Sequence, residues 1–121
     1  MKTIMIVDDS KAMRLILRRT LRQAGFNELT VVEATNGKEA LDLILQSAPD
    51  LVLSDWNMPE MTGLELLTEL KRQKNDVRFG FVTTEGGPEM RATAAAAGAL
   101  FLIAKPFAPE QFERVLAPIL G

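Results

Sequence analysis

The run Leu51-Val52-Leu53-Ser54 leaves a chain of this kind few ways to fold. It is apolar at consecutive positions, follows Pro49-Asp50, and ends in Asp55, with Pro59 and Gly63 shortly after. A short continuous apolar run bounded by turn residues reads as a fully buried strand. Ligands of open α/β sheets bind just beyond the carboxyl ends of the strands. Asp55 therefore stands where chemistry is expected. Asp50, at the other end of the same run, does not.

Similar runs recur along the chain, at 2–7, 29–34, 50–54, 78–84 and 99–104, and helical stretches separate them. The first helix is expected over 11–24, with Ser10 as N-cap and Gly25 as its stop. A second, over 38–46, follows Asn36-Gly37. A third, over 63–73, starts from a capping box of Thr62 and Glu65. A fourth runs over 89–97, with Pro88 in its first turn and Gly98 at its end. The last opens at Pro109, and Pro118 predicts a ragged finish. Helical spacing turns Met13, Ile16, Leu17 and Leu21 inward on the first helix, Ala40, Leu41, Ile44 and Leu45 on the second, and Leu64, Leu67 and Leu70 on the third. This alternation predicts an α/β fold: a parallel sheet with helices on both faces and right-handed crossovers. The spacings leave no room for a second domain, a linker or an internal repeat.

Composition narrows the chemistry. The 121 residues contain no Cys and no His. Thiolate metal sites, thiol nucleophiles, Ser-His-Asp triads and imidazole bases are all excluded. Carboxylates, hydroxyls, Lys and a hard cation are what is left. A net charge of -2 offers no general attraction to nucleic acid or to an anionic membrane. No apolar run approaches the ~20 residues of a membrane span, and Asp8-Asp9 interrupts the N-terminal run before it can serve as a signal peptide.

Three acids, Asp8, Asp9 and Asp55, fall at the carboxyl ends of the first and third strands. If those strands are neighbours, the acids converge, and like charges at close range call for a cation. Oxygen ligands alone select a hard ion, Mg2+ above all. Asp8-Asp9-Ser10 reads equally well as a plain helix cap. The fourth strand ends in Thr83-Thr84, whose hydroxyls suit an anionic oxygen, although Thr is also a common strand residue. The fifth ends in Lys105-Pro106-Phe107, and its Lys-Pro bond is a candidate for the cis form. Together the strand ends present acids, hydroxyl and ammonium. That set suits an anion held with Mg2+, and the obvious anion is a phosphoryl group on Asp55.

Asp8-Asp9, Asp55 with Met58-Pro59 and Gly63, Thr83, and Lys105-Pro106-Phe107 together resemble the receiver domain of response regulators, from Ile4 to Leu116. The segments 55–59 and 82–86 are most similar to the chemotaxis branch. The resemblance implies a flavodoxin-like, five-stranded doubly wound sheet; its order 2-1-3-4-5 is carried over, since chemotaxis regulators are themselves a reference case of that order. It implies one receiver domain over 1–121 with no output domain. It further implies that Asp55 is the phospho-acceptor and that Thr83 and Lys105 bond the phosphoryl oxygens. Asp9 and Asp55 would bind Mg2+ directly, Asp8 through water and Asn57 through its backbone carbonyl. One departure stands out. The family usually has an aromatic residue three positions before the Lys, and here it is Leu102; Phe101, next to it, should face the other way.

The resemblance implies a phosphorylation-activated switch in a two-component, chemotaxis-type system rather than an enzyme with a separate substrate. A CheA-like histidine kinase would supply the phosphoryl group. A downstream protein, in this branch a flagellar motor switch, would receive the signal, and a phosphatase is a further partner. The protein would act as a cytoplasmic monomer. Two other readings stand beside it. A receiver-like scaffold working without phosphate would have been free to lose Asp9, Asp55, Thr83 and Lys105. An Mg2+-dependent aspartyl phosphatase needs a second Asp two residues after its nucleophile, where this chain has Asn57. Elsewhere, Lys11, Arg14, Arg18 and Arg22 read as a solvated basic face of the first helix or, more sharply, as a docking surface for an acidic partner helix, and Trp56 as part-exposed beside the acceptor.

Overall fold

The apolar runs pair side by side as parallel strands in a computed structural model that describes residues 2–120. The strands are β1 (Lys2–Val7), β2 (Leu29–Ala34), β3 (Leu51–Ser54), β4 (Phe79–Thr83) and β5 (Leu102–Ala104). They lie in the order β2-β1-β3-β4-β5. The helices between and after them are α1 (Lys11–Gln23), α2 (Gly37–Gln46), α3 (Gly63–Arg72), α4 (Pro88–Ala97) and α5 (Pro109–Leu120). α1 and α5 pack on one face, while α2, α3 and α4 pack on the other. This is the doubly wound sheet expected from the alternation.

Side-chain alternation in the strands divides the core into two layers. Ile4 and Ile6 of β1 join Leu17, Leu21, Phe112 and Leu116 on the α1/α5 side. Met5 and Val7 join Ile44, Leu67, Phe79 and Phe81 on the other. Phe101 and Leu102 fall into opposite layers, as strand alternation requires. Phe101 packs over Gly80, where an added Cβ would meet the end of its ring at 2.1 Å. Any larger residue at position 80 would have to displace that ring.

Local signals set most of the boundaries. The Ser10, Asn36 and Thr62 side chains accept from the backbone N–H three residues on, and Glu65 completes the capping box with Thr62. Gly25 and Gly98 take positive φ just past α1 and α4. Other expectations need correction. Ile16 and Leu45 are exposed rather than inward, and Leu66 is buried in place of the half-buried Leu64. β5 is shorter than 99–104. α5 continues through Pro118 to Leu120 because that residue lies in the final turn on the exposed side, where the carbonyl that loses its donor can meet water. No helix among the described residues is long and apolar enough to cross a membrane.

Candidate functional site

Register aligns the strand ends. Val7 sits opposite both Ala34 and Ser54, and Thr83 opposite Ala104. The next residues along β1, β3 and β5 are Asp8, Asp55 and Lys105, so they emerge together at one edge of the sheet. Parallel pairing continues into the site: Asp55 N–H donates to Val7 O at 2.9 Å, and Lys105 N–H to Thr83 O at 2.8 Å. Carboxylate oxygens of Asp8, Asp9 and Asp55 all lie within 4.8 Å of one another.

Lys105 provides the facing positive charge. Its Nζ donates to Asp8 Oδ2 at 3.3 Å and lies 3.7 Å from Asp55 Oδ2. Asp8 is buried, and its second oxygen accepts from Ser10 N–H at 2.9 Å. Both Asp8 oxygens are therefore engaged within the protein, and Asp9 is the exposed member of the cluster. Burial, first of all, pushes the Asp55 carboxyl above the ordinary aspartate range; Lys105 pulls it back, Asp8 pushes it up, the Trp56 N–H bond lowers it and Asp9 raises it again. A carboxyl held this way gains from any cation that enters. The cluster fits Mg2+ by its donor set: oxygen atoms only, few carboxylates, and an exposed side that leaves room for water ligands.

The backbone around Asp55 is tightly held. Its N–H is bonded to β1, its carbonyl accepts from Ser54 Oγ at 2.8 Å, and Trp56 N–H donates to its Oδ1. Gly63 N–H donates to Trp56 O at 2.8 Å, and a Cβ on Gly63 would stand 2.1 Å from Asp55 O. The glycine lets the start of α3 close against the strand end. Trp56 is buried rather than part-exposed, its ring 4.6 Å from that of Phe81.

Thr83 is fully buried, and its Oγ1 accepts from Glu85 N–H at 3.4 Å. The Lys105-Pro106 bond is cis, as its sequence suggested. Three features of the site were not foreseen. Asn57 Nδ2 donates to Glu85 Oε1 at 2.8 Å, which ties the loop after β3 to the loop after β4. Arg91 of α4 donates to Gly86 O at 3.0 Å and to Leu102 O at 2.9 Å, fastening that second loop over β5. Arg14 and Arg18 are not merely solvated: both are paired with Glu33 of β2 at 2.6 Å. The i,i+4 spacing of the two arginines was visible in the sequence, but nothing local linked them to Glu33. A concavity of about 540 Å³ at the opposite end of the sheet, lined by Lys2, Phe26 and Leu29, is remote from this chemistry.

A doubly wound sheet with an acid cluster and a facing lysine at its carboxyl edge defines the receiver class of α/β domain. The chain belongs to the response regulator receiver domain family, which matches residues 4–117. Within it the similarity runs to chemotaxis regulators. A chemotaxis protein CheY homolog of Campylobacter jejuni is 42% identical over 98% of this chain and 92% of its own length. The chemotaxis protein CheY1 of Helicobacter pylori is 40% identical over 98% and 96%. The solved structure of Vibrio cholerae CheY4 superposes with a TM-score of 0.84 at 34% identity, covering 98% of each chain.

Proposed function

We propose that this protein is a chemotaxis-type switch that is turned on when Asp55 accepts a phosphoryl group from a histidine kinase. The observation that carries the reading is the convergence of Asp8, Asp9 and Asp55 with Lys105 facing them. An Asp55 carboxylate oxygen attacks the phosphorus of a phosphohistidine, the P–N bond breaks, and the departing imidazole nitrogen takes up a proton. Asp9, Asp55 and the Asn57 carbonyl would hold Mg2+, with Asp8 acting through water, a division that agrees with the engagement of both Asp8 oxygens. Bound there, Mg2+ supplies positive charge against the phosphoryl oxygens. Lys105 and Thr83 then bond those oxygens from the protein side.

The switch follows from Thr83. Its hydroxyl can keep accepting from Glu85 N–H while its O–H donates to a phosphoryl oxygen, so movement of Thr83 toward that oxygen pulls the loop 84–87 along. With Leu102 in place of an aromatic, the Arg91 bonds to Gly86 O and Leu102 O tie that loop to β5, and Gly86 packs against Ala104 beside them. Hydrolysis of the acyl phosphate resets the protein, so there is no separate substrate to turn over. A CheA-like kinase in the cytoplasm is the donor, and a downstream protein such as a flagellar motor switch reads the altered α4–β5–α5 face.

Incubation with acetyl phosphate, with and without Mg2+, followed by intact mass, tests the reading. The expected result is one added phosphoryl group that requires Mg2+ and is lost in Asp55→Asn. An unmodified mass in Mg2+ would point instead to a scaffold that works without phosphate.

A further inference from the structure

We infer that Arg14 is a positioning residue for the metal-binding acids, acting through the peptide bond between Asp8 and Asp9; this rests on the Mg2+-dependent reading above. Arg14 Nη1 donates to Asp8 O at 2.7 Å, and its Nε to Glu33 Oε1 at 2.6 Å. Its side chain is only 12% exposed although it belongs to a surface helix. Its own backbone N–H donates to Ser10 O at 3.0 Å. Arg14 thus holds the 8–10 segment at both ends of the turn that leads from β1 into α1.

Asp9 shows why this matters. Its carboxylate makes no hydrogen bond or ion pair among the described residues, unlike that of Asp8. No partner among the described residues holds the Asp9 side chain, so the point from which its carboxylate reaches the site is set by its backbone. The peptide that carries it is fixed on the N-terminal side by Asp8 N–H donating to Ala34 O at 3.2 Å. At the carbonyl it is fixed by Arg14. A guanidinium can make both of Arg14's bonds at once because its donors are rigid and diverge. Glu33 is the anchor. Burial works against its charge, but the bonds to Arg18 and Arg14 prevail and hold its carboxyl below the usual range, so the anchor stays ionised. Arg18 shares Glu33 but bonds Val31 O, not Asp8. The two arginines thus pair with the same acid and differ in whether they touch the metal-site backbone.

That difference makes the inference testable by Mg2+ affinity, measured by calorimetry and by Trp56 fluorescence on the full chain. Removing a positive charge near three acids should by itself tighten Mg2+ binding. If Arg14 positions the acids, Arg14→Ala instead weakens it, by roughly three- to tenfold, at or below the low end of what outer-sphere partners contribute to metal sites. Arg18→Ala leaves affinity unchanged or slightly tighter. Arg14→Lys keeps the charge but cannot span Glu33 and Asp8 O together, so its affinity falls between wild type and Arg14→Ala; it also serves if the alanine variant does not fold. Equal or tighter binding in folded Arg14→Ala or Arg14→Lys would overturn the inference while leaving the proposed function intact. No Mg2+ binding by the unaltered protein would overturn both.

Discussion

Asn57 Nδ2 and Glu85 Oε1 are 2.8 Å apart, a single hydrogen bond between the two loops that frame the mouth of the acid cluster. Both residues are exposed, so the bond itself adds little stability. Its consequence is electrostatic. Glu85 adds a carboxylate two residues beyond Thr83, and under the proposed function an anionic phosphodonor would approach against its charge.

Replacing Glu85 should therefore speed phosphorylation by small donors. Like charges a few ångströms apart in water repel by about 0.5–1 kcal/mol, so Glu85→Gln is expected to raise the acetyl phosphate rate roughly two- to fivefold. The gain should shrink as salt rises, because the Debye length falls to about 3 Å at 1 M. Stopped-flow Trp56 fluorescence at two ionic strengths measures it. A salt-independent change would assign the effect to loop geometry instead.

Asp55 should cost stability when it is charged and unliganded. Its folded-state carboxyl ionises above the ordinary aspartate range, chiefly through burial. The native state thus binds the extra proton, so this group's contribution is full below the ordinary range and is lost as pH rises through the raised value. At pH 7 without Mg2+, Asp55→Asn is expected to melt a few degrees higher than wild type. That advantage should vanish in acid. Saturating Mg2+ should also narrow it, since a ligand at a hundred times its Kd stabilises its own site by about 2.7 kcal/mol. Thermal melts across pH, with and without Mg2+, decide the matter; an Asn variant less stable at neutral pH would contradict the burial argument.

The legibility of these features in the sequence follows their range. Asp55 was readable because a strand end, a Pro and a Gly lie within nine residues of one another. The Thr62–Glu65 capping box was readable because its partners are three residues apart. Ile16 and Leu45 were misread because helical periodicity marks an apolar stripe but cannot say how wide a strip the sheet covers. Glu33 with Arg14, and Glu85 with Asn57, bridge 19 and 28 residues of chain. Pairings at that distance leave no local pattern, and strand order alone creates them. The Arg91 contacts with Gly86 O and Leu102 O were invisible for another reason: their acceptors are carbonyls, which every residue has.

Two glycines should respond in opposite directions. A Cβ on Gly63 would stand 2.1 Å from Asp55 O and 2.9 Å from the Phe81 ring. Gly63→Ala must push α3 away from the strand end, at a cost of about 1–3 kcal/mol or more. Gly87 caps α4 without a side-chain bond, has ordinary φ, and would meet nothing within 4 Å. Gly87→Ser supplies the missing cap and should stabilise by a few tenths of a kcal/mol. Urea denaturation of both variants is the check. A tolerated Gly63→Ala would mean that α3 does not close on Asp55 in solution.

Lys105 should affect metal binding and phosphoryl transfer with opposite signs. Its Nζ lies 3.3 Å from Asp8 and 3.7 Å from Asp55, where it balances the same charge that Mg2+ would balance. Lys105→Gln removes a competing cation, and Mg2+ affinity should rise roughly three- to tenfold, about 1 kcal/mol of relieved repulsion. Without Mg2+ the same variant should be less stable, because Asp8 is buried and loses its partner. Transfer from acetyl phosphate should nevertheless slow, since the ammonium proposed to bond the developing phosphoryl charge is gone. Calorimetry for Mg2+ and intact-mass kinetics for the adduct, on one preparation, separate the two effects. If affinity and rate fell together, Lys105 would be holding the site's shape, and its role would be structural rather than electrostatic.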